Sequence, residues 1–180
     1  MQRQEDPGVA ALRSFVASLA LWRSFVSVGG NPADFALKWP NDVLLKGGKL
    51  AGILLESIGA HLTIGVGVNL AHTPNASDLE PGAMRSVSLL QATGLALDPE
   101  DFLDVLAAEY AALEAQFRAQ GFAPIRRAWL EHAARRGEVI TARTMRDETV
   151  GTFEDVDAEG NLILRTAAGP VAITAADVYF

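Results

Sequence analysis

A chain of 180 residues suits one medium domain, or a smaller domain with an appendage, and a hydrophobic share of 49% is enough to fill a core and argues against disorder. A formal net charge of -7 argues against a nucleic-acid footprint, and the absence of cysteine removes disulfides, thiolate catalysis and Cys-based zinc sites. No apolar run approaches the roughly 20 residues of a membrane span, and the polar, acidic residues 1–7 do not read as a signal peptide, so the expectation is a soluble, cytoplasmic protein without a membrane partner.

In chain order, residues 8–28 predict a helix. Leu12, Phe15, Val16, Leu19 and Val26 recur at helical spacing, Pro7 precedes them, and Gly29-Gly30-Asn31-Pro32 stops the pattern. Three runs with strand character follow, at 35–39, 49–56 and 62–69. Lys46-Gly47-Gly48 suits a hairpin turn between the first two, and Ser57-Ile58-Gly59-Ala60 suits one between the next pair. Residues 72–82 read as a loop, and 88–93 as a short helix that stops at Gly94. Asp98-Pro99 is a helix start, with a capping side chain followed by proline at the first helical position. Leu103, Leu106, Tyr110, Leu113 and Phe117 make that helix's apolar stripe, and Gly121 ends it. A further helix over 124–135 carries Ile125, Trp129 and Leu130.

Helical periodicity is lost at Gly137. Short β-rich runs at 139–142, 149–153, 162–165 and 171–173 follow, with a turn over 157–161. Such a density of short strands predicts a small barrel of the SH3-like kind, and a domain boundary that divides 1–136 from 137–180.

Three segments carry the chemistry. Lys38-Trp39-Pro40-Asn41-Asp42 interrupts strand character with turn formers, and by composition alone it is first of all a tight turn. Lys49-Leu50-Ala51-Gly52-Ile53-Leu54-Leu55-Glu56 opens an apolar strand with a lysine and removes a side chain at Gly52, as a bulge or a close approach would require. Ile64-Gly65-Val66-Gly67-Val68-Asn69 places glycine at alternate positions, which bares one strand face; it lacks the third, helix-opening glycine of a dinucleotide fingerprint. His61, His72 and His132 share no ligand spacing, so no metal site is expected. Arg135-Arg136 suits a helix C-terminus, where the dipole favours cations, or else approaches a ligand from the domain junction.

In this order and spacing the three segments resemble the biotin protein ligases, which carry Lys-Trp-Pro-Asn-Asp, then Lys-Leu-Ala-Gly-Ile-Leu followed by Glu, then Gly-x-Gly-x-Asn. With the β-rich tail the resemblance covers essentially the whole chain. It implies an α+β fold: a mixed sheet with packed helices, of the class II synthetase-like type shared with lipoate ligases, plus a C-terminal SH3-like small β-barrel. It implies ATP-dependent formation of biotinyl-AMP, with Mg²⁺ on the phosphates, and transfer of biotin to a lysine of a carboxylase's biotin carboxyl carrier domain. By the same resemblance Lys49 is the catalytic lysine at the biotin carboxylate and the adenylate. Lys38, Asn41 and Asp42 line the nucleotide side, Gly52 admits the biotin rings, and Asn69 lies near the adenine and ribose. Trp39 is equally a core or a stacking residue. A homodimer stays open.

The family's Gly-Arg-Gly-Arg loop and its Ser/Thr-rich biotin-contacting strand do not occur in these residues, and neither does the helix-turn-helix of repressor-type members. The expectation is therefore an N-terminally truncated ligase that binds biotin and ATP weakly, with a non-catalytic, ligase-like binding module as the alternative. A lipoate ligase is disfavoured by Lys38–Asp42 and by the tail.

Overall fold

The computed structural model describes residues 5–59, 61–74, 84–144 and 147–180. Part of the loop expected at 72–82, and Ala60 of the second turn, lie outside the described residues.

Residues 8–28 form two helices rather than one. Asp6 caps α1 (Pro7–Ala11), Leu12 joins it to α2 (Arg13–Ser27), and the bend falls at that joint. Together, Pro7–Ser27 are 21 residues long and, contrary to expectation, apolar enough to cross a membrane by length and composition. Here the stretch is a core element. Phe15, Val16, Leu19, Ala20, Leu21 and Phe25 are all buried.

The first sheet has four strands in the order β1 (Phe35–Lys38), β2 (Asp42–Leu45), β3 (Gly48–Ile58) and β4 (His61–Val68). The expected mixed sheet is antiparallel across all four strands, because each joins the next through a short turn and no crossover is available. Among the described residues parallel neighbours occur only as single bridges, Leu37 with Ala133 and Lys49 with Ser86. The interruption at residues 39–41 is a full reversal. It turns the run after it into a strand of its own, so two hairpins stand where one was expected. In the turn between β2 and β3, Lys46 and Gly47 both have positive φ, 48° and 77°, as a tight two-residue hairpin turn requires.

Strand alternation sends Phe35, Leu37, Val43 and Ala51 towards α2, where they are buried, and leaves the opposite face of the sheet for other uses. Ser88 caps α3 (Leu89–Thr93), which ends at Gly94 with φ 79°. Asp98 caps α4 (Pro99–Gln120) by accepting from the amides of Glu100 and Asp101. Its inward residues are Phe102, Leu113 and Phe117, whereas Leu103 of the expected stripe is 60% exposed. Only the first member of the stripe differs: Phe102 takes the inward place, stacked on Phe25 of α2 with ring centroids 5.0 Å apart, while Leu106 and Tyr110 pack partly buried against the core. Helix α5 (Phe122–Glu131) buries Ile125, Trp129 and Leu130 as expected but stops before residue 135. The chain after it runs beside β1: the amide of Leu37 donates to His132 O and the amide of Ala134 to Leu37 O, each at 2.8 Å.

A second, five-stranded antiparallel sheet follows: β5 (Val139–Arg143), β6 (Glu148–Val156), β7 (Leu162–Thr166), β8 (Gly169–Ile173) and β9 (Asp177–Tyr179), in the order β8-β7-β6-β5-β9. The fold is thus α+β, as expected. The indole of Trp39 donates to Gly160 O at 2.9 Å, and the Gly160 turn packs on Leu12 and Phe15. Trp39, 3% exposed, is a packing residue that ties the two sheets together.

Candidate active site

One row of residues crosses the first sheet on the face away from α2. Lys38 pairs with Asp42, Asp42 with Gly52, and Gly52 with Gly67, so these four positions lie side by side on β1 to β4. Lys49 stands three residues before Gly52, an odd number that would put it on the opposite face of a regular strand. The register shifts between Val43 and Leu44, however: Val43 pairs with Ala51 and Leu44 with Lys49, leaving Leu50 as an extra residue. This bulge turns Lys49 onto the face of Asp42. The result is an ion pair, Lys49 Nζ to Asp42 Oδ1, at 2.6 Å. Lys38 Nζ lies 3.6 Å from the other oxygen of Asp42.

Asp42 is buried, and its charge is compensated by the two lysine ammonium groups, Lys49 at Oδ1 and Lys38 at Oδ2. Burial lowers the Lys38 pKa below the usual lysine value; Asp42 pulls it back up and Lys49 lowers it further. Gly52 leaves room for the pair. A Cβ there would meet Lys49 Cε at 3.2 Å, Lys49 Nζ at 3.3 Å and Asp42 Oδ1 at 3.4 Å. At Gly67 a Cβ would meet nothing within 4 Å, so the face beyond is open.

The backbone of Lys49 is held on both sides. Its amide donates to Arg85 O and its carbonyl accepts from the amide of Val87, each at 2.9 Å. Gly48 allows this strap to approach, since a Cβ there would lie 2.4 Å from Val87 Cγ1. Asn69 contributes a longer bond from Nδ2 to Lys49 O, at 3.4 Å. Asn41 faces the strand: its Nδ2 donates to Ile53 O at 2.7 Å while its own carbonyl accepts from the amide of Ile53. Its observed role is to clasp the turn to β3.

Lys38, Asp42, Lys49, Gly52 and Asn69 line a single cleft of about 1250 Å³, and Asn41 is not among its lining residues. Five of the six residues singled out from the sequence thus share one cavity. The opposite rim was missed except for Arg135, for which an approach from the domain junction was one of two expectations. It comes from Arg135, Glu138 and the segment Asp177–Phe180. The Arg135-Arg136 pair was the signal available for that rim; β9, only three residues long, gave none. Chemically the cleft offers fixed ammonium groups beside a bare, flat sheet surface, which suits a ligand with both an anionic part and a flat ring part.

Fold and site together define an α+β protein with a ligand cleft on one face of an antiparallel sheet, of the kind found in biotin and lipoate ligases. Residues 2–69 match the Biotin/lipoate A/B protein ligase family, and residues 137–180 match the Biotin protein ligase C terminal domain. The chain is 53% identical over 176 residues to the biotin--[acetyl-CoA-carboxylase] ligase of Paracoccus denitrificans, covering 95% of this chain and 73% of that protein. It is 29% identical to the bifunctional ligase/repressor BirA of Bacillus subtilis, covering 92% of this chain and 51% of BirA. Among solved structures, the apo biotin protein ligase from Aquifex aeolicus superposes with a TM-score of 0.83 at 20% identity, over 94% of this chain and 75% of that one. The same enzyme in complex with biotin and ATP gives 0.81 at 20% identity, over 94% and 70%. The chain belongs to the biotin protein ligase family.

Proposed function

We propose that the chain is an ATP-dependent biotin protein ligase of the AMP-forming kind, acting on a lysine of a carboxylase's biotin carboxyl carrier domain. The observation that carries this reading is the Lys38–Asp42–Gly52–Gly67 row with Lys49 turned onto it, in a chain 53% identical to a biotin--[acetyl-CoA-carboxylase] ligase. In the first step a carboxylate oxygen of biotin attacks the α-phosphorus of ATP and pyrophosphate leaves. In the second, the carrier lysine's amine attacks the acyl carbon and AMP leaves. Charge moves onto the phosphoryl oxygens and the leaving pyrophosphate in the first step, and onto the acyl oxygen and the leaving AMP in the second, so a cation held in place beforehand lowers both barriers.

In this reading Lys49 contacts the acyl and phosphoryl oxygens. Asp42 orients Lys49 and takes up its charge before substrate arrives. Lys38 adds a second cation on the nucleotide side. Gly52 and Gly67 let the biotin rings lie against the sheet, and Asn41 and Asn69 hold the two strand ends that shape the nucleotide side. Mg²⁺ enters as part of the nucleotide substrate. The ATP phosphates would hold it, and Asp42, Glu138 and Asp177 are the cleft-lining carboxylates that could join them. Incubation with biotin, ATP and a carrier domain should label the carrier lysine only when both small molecules are present. Binding of biotin without release of pyrophosphate would instead favour a non-catalytic module.

We also infer two units, a catalytic one over 1–136 and an SH3-like one over 137–180. Support comes from the confinement of the second sheet to 139–179 and from the exposed Arg135-Arg136-Gly137 junction. Limited trypsin digestion should cut at Arg135 or Arg136 before it cuts inside either unit. First cuts elsewhere, with this junction intact, would count against the division.

A further inference from the structure

Arg135 stands apart from the residues the reaction already uses. It has φ 61°, in the left-handed region, and Lys46 in a hairpin turn is the only other described non-glycine residue with positive φ. An arginine in that conformation is strained, and such strain collects where a side chain has a task. The surroundings fix its place. The bonds between Leu37 and the 132–134 segment lay the chain along β1, so Arg135 emerges at the cleft rim beside Lys38. Its guanidinium carbon lies 5.2 Å from the centroid of the Phe180 ring, and Lys38 Nζ lies 6.0 Å from the same centroid. The ring, carried at the end of β9, therefore organises two cations on the nucleotide side of the cleft. The anion that Arg135 now meets is Glu138, at 2.8 Å, an exposed and hence exchangeable partner.

We propose that Arg135 is a nucleotide-positioning residue that binds the β- and γ-phosphate oxygens of ATP from the second-sheet side of the cleft, exchanging Glu138 for the polyphosphate. This rests on the ligase reading of the same cleft. A guanidinium can hold two phosphate oxygens at once, and with Lys38 and Lys49 it would place three cations around a tri-anionic or tetra-anionic chain. The contact is to the leaving pyrophosphate, so it favours ATP over AMP.

The test compares ATP and AMP binding to the 180-residue chain by calorimetry, for wild type, Arg135→Gly, Arg135→Lys and Glu138→Gln. Glycine relieves the backbone at this φ, so Arg135→Gly should fold at least as well as wild type, as its melting temperature will report. It should weaken ATP binding about tenfold and leave AMP binding within twofold. Arg135→Lys should recover part of the loss, and Glu138→Gln, which frees the guanidinium, should bind ATP as well as wild type or better. Equal ATP affinity in wild type and Arg135→Gly would overturn the proposal alone. Equal loss of ATP and AMP would assign Arg135 a structural role and also overturn it. A wild-type chain that binds neither nucleotide would overturn both this proposal and the ligase reading.

Discussion

Replacing Lys49 with alanine is expected to lower biotin-dependent pyrophosphate release by about 10²-fold or more, the scale on which one preorganised charge contact contributes to a transition state. The reason is positional. The β-bulge at Leu50 turns this ammonium onto the cleft face, Arg85 and Val87 grip its backbone, and Asp42 holds its tip at 2.6 Å. A group held in this way needs no reorganisation as charge develops. Stability should change little, within about 1 kcal/mol, because the Lys49 side chain is 40% exposed and Asp42 keeps Lys38 as a partner. Lys49→Arg should not restore the rate. A planar guanidinium does not fit the space bounded by Gly52, where even a Cβ would sit 3.3 Å from Nζ. Steady-state kinetics with a coupled pyrophosphate assay measures all of this, and a loss smaller than about threefold in Lys49→Ala would remove Lys49 from the catalytic role.

Asp42→Ala should damage both fold and activity. The carboxylate is buried between two lysines, and Lys38, with its side chain only 12% exposed, depends on it. Removing one partner of a buried pair leaves an uncompensated charge, at a cost of about 3 kcal/mol or somewhat more. Asp42→Asn keeps the shape and isolates the charge. Lys38 already holds its proton less tightly in the folded chain than in the unfolded one, through burial above all. Between its folded value and the ordinary lysine value the unfolded chain binds more protons, so stability rises with pH across that alkaline window. Asp42→Asn deletes the interaction that raises the Lys38 value. The window should therefore extend further towards neutral pH, and the variant should gain more stability than wild type on going from neutral to alkaline buffer. Lys38→Met in the same background should abolish the gain. Denaturant titrations across pH measure it; parallel profiles for wild type and Asp42→Asn would contradict the coupling.

The sequence and the structure agree most where a local rule has one outcome. Asp98-Pro99, Ser88 with Gly94, and Lys46-Gly47 each specify a cap or turn by the conformation they allow, and each appears where expected. The residues of the three motifs were legible as types, but their meeting was not. Whether Lys49 faces Asp42 or the core depends on one extra residue in β3, and no periodicity in an eight-residue apolar run reveals a bulge. Phe102 displaced Leu103 because an aromatic contact across α2 outweighs a one-residue difference in helical phase. Arg135 and Phe180 are 45 positions apart in sequence, and only the antiparallel pairing of β5 with β9 brings the segment beside the junction. The resemblance puts Asn41 on the nucleotide side, yet its amide donates to the carbonyl of Ile53, so the turn itself uses that side chain.

The bare sheet face beside Lys49 and Asp42 is expected to receive the acyl-adenylate. Titrating a non-hydrolysable biotinyl-adenylate analogue into the chain and into Gly52→Val tests it most directly, with melting temperatures taken alongside. Wild type should bind saturably and Gly52→Val should lose at least about tenfold in affinity, since branched methyls there would collide with the ion pair and cover the surface on which the rings lie. Binding to a folded Gly52→Val variant with wild-type affinity would place the adenylate elsewhere and contradict it.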